Sequence, residues 1–184
     1  MKSITNLWVT GYRAYELGIF TANDPKIKII TTYLTRTLQN YCEHGLKWVL
    51  TGGQLGVEQY VVQAVKQPVL APYQLQVAIL LPFQNMQQRW NEKNQQIFFQ
   101  TLQRADFYQI LSPQPYQNPR QFQTWQSFML HHTQGSLLVY DPEYPGKTKY
   151  EYQAIQQYQA HVPYDLQLID MYDLQDFVDD QPSF

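Results

Sequence analysis

A chain of 184 residues with 44% hydrophobic residues is long enough for one filled core, short for two, and not disordered as a whole. Charged residues make up only 15%, their place taken by 28 scattered glutamines; with a net charge of −2 and 13 dispersed basic residues, an avid grip on nucleic acid is not expected. The single Cys42 excludes an internal disulfide framework, and neither a signal-peptide pattern nor an apolar run of about 18 residues is present, so the expectation is a soluble, cytoplasmic protein without a membrane span.

Short apolar runs alternate with longer stretches of helical period. Leu7-Trp-Val-Thr10 reads as a first strand halted by Gly11. From Lys26 to Cys42, Ile27, Ile30, Leu34, Leu38 and Tyr41 recur at helical spacing behind the cap Asp24-Pro25, and Gly45 ends the helix. Lys47-Trp-Val-Leu-Thr51 predicts a second strand, and Gly56 to Gln67 a second helix carrying Val57, Val61 and Ala64 inward. Val77 to Leu81 is a continuously apolar third strand stopped by Pro82. A helix over Asn91 to Ala105 and a strand over Phe107 to Leu111 follow, then a proline-broken loop from Ser112 to Pro119. Arg120 to His132 is helical, with Phe122, Trp125 and Phe128 or Met129 on one face. Ser136 to Tyr140 is a strand, Tyr150 to Ala160 a helix, Leu166 to Asp170 a last strand, and Tyr172 to Val178 a terminal helix.

Continuously apolar strands alternating with amphipathic helices imply a mainly parallel sheet covered on both faces. The expected fold class is therefore α/β: one Rossmann-like three-layer domain over residues 1–184, with no linker or repeat dividing it. In such sheets ligands bind beyond the carboxyl ends of the strands. The loops there hold Thr10-Gly11-Tyr12-Arg13, Thr51-Gly52-Gly53-Gln54-Leu55-Gly56, Pro82-Phe83, Ser112-Pro113 and Asp141-Pro142.

Three of eight glycines fall in the turn Gly52-Gly-Gln-Leu-Gly56 between a strand and a helix. Glycine permits a sharp turn and a close backbone approach, and a helix start there favours an anion. The spacing G-G-x-x-G is not the dinucleotide fingerprint, and an ordinary turn whose Glu58 complements the helix dipole is the alternative that so costly a concentration of glycine weighs against. Arg13 offers a planar fork suited to phosphate or carboxylate. Gly146-Lys147-Thr148 is no Walker loop, because Asp141 stands where its first glycine belongs, though Lys147 to Lys149 could line a pocket rim. The adjacent His131 and His132 point apart on a helix, so no metal is expected. Phe83, Trp90 and Tyr116 lie in or beside the sheet-end loops, where an aromatic ring can stack on a base; each alone is more commonly a packing residue.

Taken in order, Thr10-Gly-Tyr-Arg-Ala-Tyr-Glu-Leu-Gly-Ile-Phe20, Gly52-Gly-Gln-Leu-Gly-Val-Glu58, Pro82-Phe83 with Trp90, Pro115 to Phe122, and Leu138-Val-Tyr-Asp-Pro-Glu143 with Gly146 resemble the YpsA family of the SLOG superfamily. That superfamily also holds DprA and the LOG phosphoribohydrolases. The resemblance implies a nucleotide or ADP-ribose-like ligand at the glycine turn, a link to cell division and stress response, and no settled catalytic activity. Gly56 and Glu58 match the family's G-x-[DE] position. The resulting candidate ligand-binding set is Thr10, Gly11, Tyr12, Arg13, Gly52, Gly53, Gln54, Gly56, Glu58, Pro82, Phe83, Trp90, Tyr116 and Asp141, with Glu58 given to a ribose hydroxyl. The LOG motif P-G-G-x-G-T-x-x-E is absent. A nucleotide N-glycoside hydrolase using Glu58 is thus the alternative, and a DprA-like single-strand binder the remoter one. A protein partner in cell division and a homo-oligomer are left open.

Overall fold

Six strands alternate with helices in the order that the hydrophobic periodicity predicts. In the computed structural model, which describes residues 3–181, the strands are β1 (Asn6–Gly11), β2 (Trp48–Thr51), β3 (Gln76–Leu81), β4 (Phe107–Ile110), β5 (Gly135–Val139) and β6 (Asp165–Ile169). The helices are α1 (Pro25–Glu43), α2 (Val57–Val65), α3 (Glu92–Arg104), α4 (Arg120–His131), α5 (Lys149–Gln159) and α6 (Met171–Asp179). Residues 1–2 and 182–184 of the expected domain lie outside the described residues. Local chemistry sets several boundaries. Asp24 accepts the Lys26 amide at 2.9 Å and Pro25 occupies the first turn of α1, while Asn91 caps α3 and Asp170 with Asp173 forms a capping box at α6.

The sheet has the order β4-β3-β2-β1-β5-β6, and every pairing is parallel. Because strand side chains alternate, Leu7 and Val9 join a core with α1, α2 and Phe98 of α3. Trp8 points the other way, onto Trp125 and Met129 of α4 and Ile155 of α5. The chain runs outward from β1 to β4 with its helices on one face, then returns to β5 beside β1 and continues to β6 through α5 on the other face. Right-handed crossovers require that reversal of helix face when the direction of travel across the sheet reverses. The switch point is therefore the crevice between the carboxyl ends of β1 and β5.

Two short elements escape the sequence pattern. Short 3₁₀ segments span Ala14–Leu17 and Pro68–Tyr73, too short to show a helical period. Edge strand β4 is exposed along its whole length, so the cover expected over both faces stops short of it. No helix among the described residues is long and apolar enough to cross a membrane.

Candidate functional site

At the end of β1 the chain folds back onto the glycine turn. The Ala14 amide donates to Leu55 O at 3.0 Å and the Val57 amide to Tyr12 O at 3.1 Å, forming an isolated antiparallel bridge between Arg13 and Gly56. Gly56 has φ of 125°, and a Cβ there would stand 2.5 Å from Tyr12 O and 2.6 Å from Ala14 N. Only glycine satisfies both the backbone conformation and the contact. At Gly52 a Cβ would fall onto the Glu58 carboxylate. Gly53 sits on Leu81 and Phe98, and Gly11 on Val139 O. The close approaches that these glycines permit are thus to the protein's own atoms.

Glu58, in the first turn of α2, is 2% exposed. Its Oε1 accepts the Thr10 hydroxyl at 3.0 Å, and its Oε2 accepts the Gln54 amide at 2.9 Å. Arg13 Nη1 lies 3.9 Å from Oε1, an ion pair without a direct hydrogen bond. Gln59 holds the turn from beneath through Gly53 O at 3.1 Å. The carboxylate fastens β1, the glycine turn and α2 together, and its oxygens are already served by protein donors.

Across the switch point a second carboxylate joins the two loops. Glu16 accepts the Arg13 amide and the Lys147 amide, each at 2.7 Å. Gly146, at φ 39°, leaves the room that Glu16 occupies. Tyr12 is buried; its hydroxyl lies 3.0 Å from Asp141 O and 2.6 Å from Tyr144 O, and it accepts the Asp141 amide at 2.9 Å. Burial pushes the Tyr12 phenol up. Asp141 is itself buried and accepts the Glu143 amide at 2.9 Å, closing its own turn.

Between these loops lies a cavity of about 350 Å³ lined by Arg13, Tyr15, Gln54, Leu55, Trp90, Phe122 and Lys147. That is within the range of small-molecule sites, roughly 300–1,000 Å³. Of the predicted residues, Arg13, Gln54 and Trp90 reach this space. Trp90 meets Phe98 edge-on at 5.5 Å, so the ring that borders the cavity is braced by the core. Phe83 is buried and stands behind the wall, its centroid 5.3 Å from both Phe122 and the half-exposed Tyr116. Pro82 is buried beneath it, and Thr10, Gly11, Gly52, Gly53, Gly56 and Glu58 form the supporting floor. Tyr12 faces a separate hollow of about 670 Å³ with Tyr144, Met171 and Tyr172. A larger depression of about 730 Å³ lies along α1, away from the strand ends.

Sequence reasoning reached Lys147 only as a rim residue, placed Phe122 in the core, and did not single out Tyr15, Leu55, Glu16 or Glu151. Glu151 is 4% exposed, and its inward direction had one trace in the sequence: it precedes the buried Ile155 by four residues, on the same helical face. Burial pushes its carboxyl up to about 7, with the Arg13 charge opposing and the Glu58 charge adding to the shift. No group of three His, Cys, Asp or Glu among the described residues is arranged to hold a metal ion.

Comparison with known proteins places this geometry in context. The family model for YpsA, described as the YspA SLOG family, matches residues 7–174. The chain is 42% identical over 180 residues to a UPF0398 protein of Enterococcus faecalis, covering 98% of this chain and 100% of that one. It is 46% identical over 175 residues to a UPF0398 protein of Lactobacillus helveticus, covering 95% and 92%. A UPF0398 protein of Ligilactobacillus salivarius is 41% identical over 174 residues, covering 95% of each.

Proposed function

The chain belongs to the YpsA (YspA SLOG) family, and on that premise we propose that it is a regulatory protein that binds a nucleotide or ADP-ribose-like ligand at the β1–β5 switch point. The observation that carries this reading is the lining of the 350 Å³ cavity: two cations, one amide and three aromatic rings around one space. Arg13 and Lys147 provide charge for phosphate, Gln54 hydrogen bonds for sugar or base edge, and Trp90 with Phe122 flat apolar surface for a base. The packed glycine turn sets the position of Arg13 and Gln54, as a rigid scaffold beneath a binding loop does. A role in cell division or stress response would have the occupied site read by a protein partner.

Binding is favoured over N-glycoside hydrolysis because Glu58 is engaged on both oxygens and 2% exposed. A catalytic carboxylate must come within hydrogen-bond reach of the reacting atoms, and Glu58 serves Thr10 and Gln54 instead. The test is a thermal-shift panel of ADP-ribose, NAD, AMP and cyclic dinucleotides. A ligand at a hundredfold excess over Kd stabilises the native state by about 2.7 kcal/mol, a readable rise in Tm. Absence of any shift across the panel, or release of free base from the nucleotide, overturns the proposal.

A further inference from the structure

The chain segments 12–17 and 144–147 divide their side chains between two hollows. Arg13, Tyr15 and Lys147 line the 350 Å³ cavity, whereas Tyr12, Glu16, Tyr144 and Gly146 line the 670 Å³ one. Neighbours in sequence thus border different spaces. Because consecutive Cα atoms are about 3.8 Å apart, the partition between the hollows is a single layer of chain. Glu16 ties that partition together by accepting the Arg13 and Lys147 amides, each at 2.7 Å. The two spaces differ in charge. Arg13 and Lys147 both serve the smaller one. Among the described residues no Lys, Arg or His lines the larger one, and Glu16 is its only charged group. Lys149, close by in sequence, is held over the Tyr150 ring at 5.0 Å. The helix start that borders this hollow at Met171 is closed by Asp170 and Asp173. Their carboxylates accept each other's amides at 2.8 and 2.9 Å and offset the positive end of α6.

Tyr12, Tyr144, Tyr172 and Met171 give the larger hollow an aromatic and thioether lining. Tyr12 is buried and its hydroxyl is spent on the Asp141 and Tyr144 backbone, so its ring is fixed, while Tyr144 and Tyr172 are exposed and open to a ligand. Aromatic rings beside one carboxylate and no cation select a cationic group, as quaternary-ammonium cages do. Resting on the binding reading of the smaller cavity, we propose that the 670 Å³ hollow holds the cationic ring at the far end of a dinucleotide whose phosphates lie at Arg13 and Lys147. One ligand then meets two complementary surroundings: phosphate against the guanidinium and ammonium, and a pyridinium ring against the tyrosines and Glu16. A mononucleotide fills only the first space, and ADP-ribose reaches the second with a bare sugar.

Calorimetry with NAD⁺, NADH and ADP-ribose reads the hollow, because NAD⁺ and NADH differ in the charge of that ring and ADP-ribose lacks it. NAD⁺ binds about tenfold more tightly than either of the others. Tyr172 is 69% exposed, so Tyr172→Ala leaves Tm in place. That variant brings NAD⁺ to within about twofold of ADP-ribose and leaves ADP-ribose affinity as it was, while Tyr172→Phe keeps the wild-type preference. Equal affinities for all three ligands in the wild type overturn this inference and leave the phosphate cavity standing. NADH binding as tightly as NAD⁺ overturns it as well, because ring charge then plays no part. An equal loss of NAD⁺ and ADP-ribose affinity in Tyr172→Ala also counts against it, since the side chain then acts on the phosphate end. Silence across the whole nucleotide panel removes both the hollow's ligand and the binding reading beneath it.

Discussion

The first turns of α2 and α5 make the same kind of contribution in opposite ways. One follows β2 and the other β5, and each buries one glutamate in its first turn. In α2 each carboxylate oxygen accepts a hydrogen bond, and Gly52 leaves the space that the carboxylate fills. In α5 the carboxyl keeps an unpartnered oxygen, and Thr148 nearby is fully buried with an equally unpartnered hydroxyl. A satisfied buried network rigidifies, whereas an unsatisfied one is costly and persists where it has another use. The contrast is between a carboxylate that fastens the floor and a buried carboxyl with one oxygen left unpartnered.

The sharpest way to break the floor is Gly56→Ala. The new Cβ meets Tyr12 O and Ala14 N at about 2.5 Å in a conformation reserved for glycine. A loss of about 3 kcal/mol or more is expected, seen as a lower denaturant midpoint, because neither backbone can move without undoing the bridge. Stability unchanged by that substitution would mean the turn is loose and the floor does not exist.

The α5 carboxyl responds to pH. The folded Glu151 carboxyl stands at about 7, above the ordinary value of 4.5, so the folded state holds its proton more firmly than the unfolded chain. Its contribution is present in full below the unfolded value and is lost as pH rises through the folded one. Between about pH 4.5 and pH 8, wild type should lose up to about 3 kcal/mol relative to Glu151→Gln, measured by parallel urea titrations. Parallel profiles for the two proteins would remove the contrast between the helices.

Glu58→Gln sharpens the same comparison from the other side. The amide can accept from Thr10 or from Gln54 but presents an NH₂ to the other donor, and it loses its charge toward Arg13. The expected cost is about 1–3 kcal/mol, read as a lower denaturant midpoint. Smallest in its effect on the fold is Trp90→Ala. It removes a ring that borders the cavity and leans on Phe98, so ADP-ribose affinity should drop about tenfold while the midpoint moves less than with Gly56→Ala. A lowered midpoint with unaltered affinity would return Trp90 to the core.

Much of this molecule is legible in one dimension. Strand and helix positions follow from apolar period and cap chemistry, as in the run Ile30-Leu34-Leu38 behind Asp24-Pro25, because both signals act within a few residues of each other. The parallel sheet follows from continuously apolar strands joined through helices, and the placing of candidate residues at strand carboxyl ends follows from that sheet. Arg13, Gln54 and Trp90 emerged from this route and do border one cavity. Tertiary structure alone decided what the glycines face, since the atoms beyond a missing Cβ come from segments far away in sequence: Tyr12 and Ala14 for Gly56, Leu81 and Phe98 for Gly53. It alone decided that both Glu58 oxygens are hydrogen-bonded while Glu151 Oε2 is not, although each is an acidic residue in a first helical turn. Hydrogen-bond satisfaction and desolvation depend on which chain segments meet in space, and no period along the sequence records that meeting.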